Sequence, residues 1–198
     1  MNHLRAMGVL LALFGLPISG CVHQAGEPTD SGWITLLDGT NLDHWTTVGK
    51  ANWRVLDGVV QADQGNGYLV SKNSYTDLQI RAEFWVDTPA NSGIFIRCGD
   101  PQKISSAICY EVNINDDRPE AAYSTGAIVD IAKVSPPIPK AGGRWNTMEI
   151  TAKGPLMTVM LNGERTAEGR DSRFTSERIA IQYTRGLVKF RKLQIRPL

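Results

Sequence analysis

The stretch DLQIRAEFWVD, residues 77–87, alternates without a break. Leu78, Ile80, Ala82, Phe84 and Val86 fall on one side of an extended chain; Gln79, Arg81, Glu83 and Trp85 fall on the other. A period of two is that of a strand with one apolar face, and such a face must be covered. SGIFIRC sets Ile94, Ile96 and Cys98 opposite Phe95 and Arg97, and WRVLDGVVQAD reads as strand, Asp-Gly turn and strand, a strong hairpin signal. WNTMEITAKG with LMTVMLNGERT, and RIAIQYT with LVKFRKLQIRP, continue the pattern. No stretch sustains a 3.6-residue apolar period over a helix length. Many short, evenly spaced strands predict an all-β fold, two antiparallel sheets packed as a jelly-roll sandwich. The 198 residues, 42% apolar, suit one such domain.

The N-terminal segment does not share this pattern. MNHLRAMGVLLALFGLPISGC has a short basic start at Arg5, an apolar stretch too short to span a bilayer, and small residues before Cys21. This is signal-peptide anatomy, and Ile-Ser-Gly-Cys resembles a bacterial lipobox, in which Cys21 becomes the lipidated first residue of the mature chain. The expected organisation is a leader over residues 1–20, a flexible tether over 21–31 and a folded domain over 32–198. It places the protein in a bacterial cell envelope, held to the outer membrane by lipid. The formal charge of +1 has no basic stripe and gives no reason to expect nucleic acid. A monomer is expected.

Export bears on the other cysteines. An oxidising compartment favours pairing Cys98 with Cys109, which end one strand and begin the next; two free buried thiols are the alternative. His44 is the only histidine of the expected folded part, so a Ser-His-Asp triad or a His-rich metal site is not expected.

One strand is unusual. In ICYEVNIND, Tyr110, Val112 and Ile114 face one way, while Glu111, Asn113 and Asn115 form a polar row on the other side. Asn is depleted in strands, so sheet stability does not ask for this row. A long irregular stretch, residues 115–144, follows directly, and irregular segments of that length are commonly functional or disordered. Its first acids, Asp116 and Asp117, are weak candidates for a divalent cation such as Ca²⁺, against the plainer reading of solvated loop acids. No cofactor is otherwise indicated.

The ordered phrases LLDGTNLDHW, DGVV, YTDLQIRAEFWV, NSGIFIR, YEVNI, STGAI, GGRWNTMEI, LNGE and IAIQYTRGLVKFRKLQI resemble the 3-keto-disaccharide hydrolase family across about Trp33 to Leu198. The resemblance implies a concanavalin A-like jelly roll, bacterial export and action on 3-keto sugars or related glycosides. By position it carries over Asn91, Ser92, Gly93, Arg97, Glu83, Glu111, Trp145 and Asn146. Two positions depart from the family's usual residues: Asn113, where Gln is usual, and Val129, where Tyr is usual. A 3-keto group acidifies the C2 hydrogen, so one base and one donor for the enolate oxygen suffice to expel the C1 substituent, after which water adds. Glu111 is the expected base and Arg97 the expected oxyanion partner, with a structural ion pair between them as the alternative. Asn113, Asn115, Gln182 and Glu83 are expected to hold sugar hydroxyls, with Trp85 and Phe95 as aromatic platforms. A non-catalytic carbohydrate-binding lipoprotein would use the same fold.

Overall fold

A computed structural model describes residues 32–175 and 178–198; the predicted leader and tether, Cys21 included, lie outside the described residues. The described strands are β1 (Ile34–Leu37), β2 (Trp45–Gly49), β3 (Arg54–Leu56), β4 (Val59–Ala62), β5 (Gly67–Ser71), β6 (Leu78–Val86), β7 (Asn91–Cys98), β8 (Tyr110–Ile114), β9 (Arg144–Lys153), β10 (Leu156–Leu161), β11 (Glu164–Arg170), β12 (Arg178–Arg185) and β13 (Val188–Pro197). The only helical element among the described residues is a 3-10 turn over Ala121–Tyr123. The strands form two antiparallel sheets, one ordered β11-β10-β9-β6-β13-β4-β3 with β1 also on β13, the other β2-β5-β12-β7-β8. The fold is the jelly-roll sandwich that the alternation predicts.

The alternation does the folding work. Ile80, Ala82, Phe84 and Val86 of β6, with Met148 and Ile150 of β9 and Phe190, Leu193 and Ile195 of β13, turn inward from the larger sheet. Leu69, Ile94, Ile96, Val112, Ile114, Ile179 and Ile181 turn inward from the smaller one, and all belong to one buried cluster. Truncating one of the largest, Phe84, to Ala would cost about 3–5 kcal/mol. The predicted Asp-Gly hairpin joins β3 to β4, with Asp57 at φ 51° and Gly58 at φ 73°, the left-handed pair that a two-residue hairpin turn requires.

The outer face of the five-stranded sheet has a second, smaller cluster. Val70, Phe95 and Ala180 are covered there by Ile104 and the disulfide-linked Cys98 and Cys109. The predicted disulfide is present, with a Cα–Cα distance of 4.6 Å. It folds the 99–108 segment over one part of this face. The irregular 115–144 segment covers another part: Ile128 bridges to Val112, Val129 N–H donates to Glu111 O, and Asn113 N–H donates to Ala127 O. Residues 126–129 thereby add a short rung beyond β8.

Candidate active site

Between these two covers lies a row of residues read straight across the sheet. Val48, Tyr68, Gln182, Gly93 and Asn113 are register neighbours on β2, β5, β12, β7 and β8. Gly93 makes a gap in the middle. A Cβ there would sit 3.3 Å from Glu111 Oε1 and 3.2 Å from Val112 O. The Glu111 carboxylate therefore lies over a backbone floor that only glycine leaves open.

Glu111 is 8% exposed, and its carboxylate has no hydrogen-bond or ion-pair partner among the described residues. Burial pushes its pKa up to about 7; Arg118 pulls it down, and Asp130 pushes it further up. Desolvation disfavours the charged form, and nothing bonds to the carboxylate to repay that cost. Two carboxamide oxygens on the neighbouring row are also unpartnered: Gln182 Oε1 and Asn113 Oδ1, one on either side of Gly93. Gln182 Nε2 reaches Tyr68 Oη at 3.4 Å, and Asn113 Nδ2 donates to Tyr123 O at 2.6 Å. Their donor ends are fixed and their acceptor ends are left over.

The loop beyond β8 is held by Asp116. Its carboxylate accepts from Thr125 Oγ1 at 2.6 Å, from Ala141 N–H at 2.9 Å and from Gly142 N–H at 2.8 Å, and Lys140 Nζ donates to its backbone oxygen. Asn115, 6% exposed, accepts from Asp117 N–H. Asp116 is thus a buried loop clamp with its oxygens already committed. Asp117 is exposed, and no group of three or more His, Cys, Asp or Glu among the described residues is arranged to hold a metal.

Several sequence expectations need correction. Arg97 does not stand beside Glu111. Glu111 is opposite Phe95, and Arg97 adopts a left-handed backbone at φ 58°, which turns its side chain out of the row. Its Nη1 donates to Phe174 O and its Nη2 pairs with Asp77 Oδ1, each at 3.2 Å, so the expected oxyanion partner and the alternative Glu111 ion pair both fail on geometry. Phe95 is fully buried under the disulfide segment and meets Tyr68 edge-on, which leaves the half-buried Tyr68 as the aromatic side chain beside the gap. Glu83 and Trp85 lie on β6, in the other sheet; Glu83 pairs there with Arg191 at 2.6 Å and Trp85 carries Lys189 over its ring. The structure brings Glu111, Asn113 and Gln182 together and leaves Asn115 at the edge. Arg118 and Asp130 were not read from sequence as site residues, because each sits on the irregular segment, where strand periodicity says nothing about direction. Gly93 entered the sequence reading only through the family resemblance; a glycine inside a strand also marks a close approach in its own right.

The sequence profile of the 3-keto-alpha-glucoside-1,2-lyase-like domain matches residues 32–196. The chain belongs to that family. The match spans the whole described sandwich, from before β1 almost to the end of β13. No curated protein matches the chain in sequence. Among solved structures it is similar to two Parabacteroides distasonis proteins proposed to be glycosyl hydrolases. One is 27% identical with a TM-score of 0.69, over 84% of this chain and 99% of that one. The other is 18% identical with a TM-score of 0.74, over 84% and 94%. A carbohydrate-binding module from Bacillus subtilis is 16% identical with a TM-score of 0.63, over 77% and 95%, and shares the fold. Family membership ties this sandwich to carbohydrate chemistry.

Proposed function

We propose that this lyase-like domain cleaves 3-keto-glycosides by elimination and hydration, with Glu111 as the base. The observation that carries the reading is Glu111 itself: a buried, unpartnered carboxylate over a glycine gap, with a pKa of about 7. A general base works best when its pKa is near the working pH. Glu111 takes the C2 proton of a 3-keto sugar. The electron pair moves toward the C3 oxygen and then forms the C1–C2 double bond as the C1–O bond breaks. The leaving oxygen takes up a proton, and water adds hydroxyl at C1 and hydrogen at C2. Arg118, the cation that pulls down the Glu111 pKa, takes the enolate-facing role expected of Arg97. Gln182 Oε1 and Asn113 Oδ1 accept from sugar hydroxyls, which supply the donors these oxygens lack. The loss of the usual Gln at Asn113 and of the usual Tyr at Val129 shortens two side chains around this site, which fits a shift in which sugar is held. The family and the Parabacteroides relatives support this reading through their glycoside chemistry. Lipidation of Cys21 would hold the domain at the envelope.

The test is aglycone release from a panel of 3-keto-glucosides, in deuterated water. Deuterium at C2 of the product or recovered substrate supports the enolate. Turnover of the unoxidised glucosides instead would assign Glu111 and Asp130 to a two-carboxylate glycosidase. Binding of either class without turnover would make the domain a carbohydrate-binding module.

A further inference from the structure

The outer face of the eight-stranded sheet has no part in the reaction above, yet it is not an ordinary mixed-charge surface. Three adjacent strands, β9, β6 and β13, present Arg81, Lys189, Arg191, Lys192 and Arg196 against two carboxylates, Glu83 and Glu149. The whole chain is balanced to +1, so this excess of cations is local. A β-bulge creates its centre. The register of β13 on β6 shifts between Phe190 and Lys192. Phe190 and Leu193 both stay in the core, so the two residues between them, Arg191 and Lys192, both turn outward.

The cations are also held in place. Arg191 lies over the Trp145 ring at 4.5 Å and Lys189 over Trp85 at 5.2 Å; Arg81 and Arg196 lie over Trp33 at 4.2 Å and 5.0 Å. Stacking of this kind removes much of the rotamer freedom that binding would otherwise have to freeze. Across β9, β6 and β13 on this face opens a groove of about 180 Å³, lined by Arg81, Glu83, Thr147, Glu149, Lys192 and Gln194. Within the groove Arg81 and Lys192 are balanced by Glu83 and Glu149, and Glu83 pairs with Arg191 at 2.6 Å. The carboxylates, Thr147 and Gln194 therefore suit hydroxyl groups, while the surplus of cations over the whole face, Lys189 and Arg196 included, suits carboxylate or sulfate groups along a longer chain.

We propose that this face is a second carbohydrate site, taking an acidic polysaccharide, one bearing uronate or sulfate groups, along the groove beside the Arg191–Lys192 bulge. Charge complementarity and the polar lining favour such a chain over an anionic bilayer. Of the large apolar side chains beside the groove, Trp145 is exposed and is capped by Arg191, whereas membrane docking calls for apolar side chains free to insert.

Affinity electrophoresis of the purified protein tests this, with polygalacturonate, dextran sulfate and unmodified dextran in the gel. Retardation is expected with the two acidic polymers and not with dextran, and it should fade as salt screens the charges. The double variant R191A/K192A should bind the acidic polymers about tenfold more weakly, as expected for loss of charge-assisted bonds. Glu111→Gln, on the other sheet, should bind them as the wild type does. K192E, which keeps the bulge and reverses one charge, should weaken retardation further than K192A. Unchanged retardation in R191A/K192A and K192E, or co-sedimentation with phosphatidylglycerol vesicles without polymer binding, would overturn the proposal. Because Glu111→Gln separates the two faces, the outcome is independent of the proposed elimination chemistry.

Discussion

Glu111 departs from an ordinary strand carboxylate in having been stripped of water without being given a partner. Its raised pKa means the folded protein binds a proton that the unfolded chain has released, between the ordinary glutamate range and about pH 7. Stability contributed by the neutral form is complete at acidic pH and is lost as pH rises through about 7. The difference amounts to about 3 kcal/mol at most. Urea unfolding of Glu111→Gln should therefore show less loss of stability between pH 5 and 8 than the wild type, while the rate of 3-keto-glycoside cleavage falls by about 10²–10⁴. Wild-type activity should instead rise with pH through about 7. Gly93→Ala is the companion prediction. The new Cβ would crowd Oε1 and a backbone oxygen, and a small misplacement of the base is expected to cut turnover about tenfold or more with the fold retained. Glu111 was legible in sequence because alternation put it on a polar row that stability did not require. Its solitude was not. That depended on Arg97 leaving the row through a left-handed backbone, which no alternation pattern encodes.

At the scale of elements, two covers shape the site, and each hangs on one device. The Cys98–Cys109 bond closes the 99–108 segment over Val70, Phe95 and Ala180. C98S/C109S should lose about 2–3 kcal/mol by the loop-entropy argument, read as a lower urea midpoint. Asp116 clamps the other cover through backbone N–H groups 25 and 26 residues away. Asp116→Asn turns one acceptor into a donor facing those N–H groups, so it should cost about 1–3 kcal/mol. It should also raise KM by freeing the segment that bears Arg118. The strands themselves, and the hairpin at Asp57-Gly58, were readable because period and turn chemistry are local. The clamp was not: Asp116 sits in a run of loop acids and looks the same as its exposed neighbour Asp117 until the fold brings Ala141 to it.

For the molecule as a whole, the sandwich followed from alternation, but sheet membership did not. Glu83 and Trp85 have the right alternation for a sugar site and still ended on the far sheet, because β6 and β7, although consecutive in the chain, belong to different sheets. Periodicity fixes which way a side chain faces within a strand and is silent about which sheet receives it. Outside the described residues, Cys21→Ser is expected to move the protein from the detergent-extracted membrane fraction to the soluble periplasmic fraction, as immunoblotting of fractionated cells would show. One feature of the topology also governs timing. β13 lies between β6 and β4 and pairs with β1 as well, so it joins strands that were made up to about 160 residues earlier. β12 likewise sits between β5 and β7. During synthesis each sheet must therefore wait, unclosed, for a strand that arrives after all its partners. Such long-range closure is slow, and until it happens the apolar sides of β6 and β4 stand open to other copies of the chain.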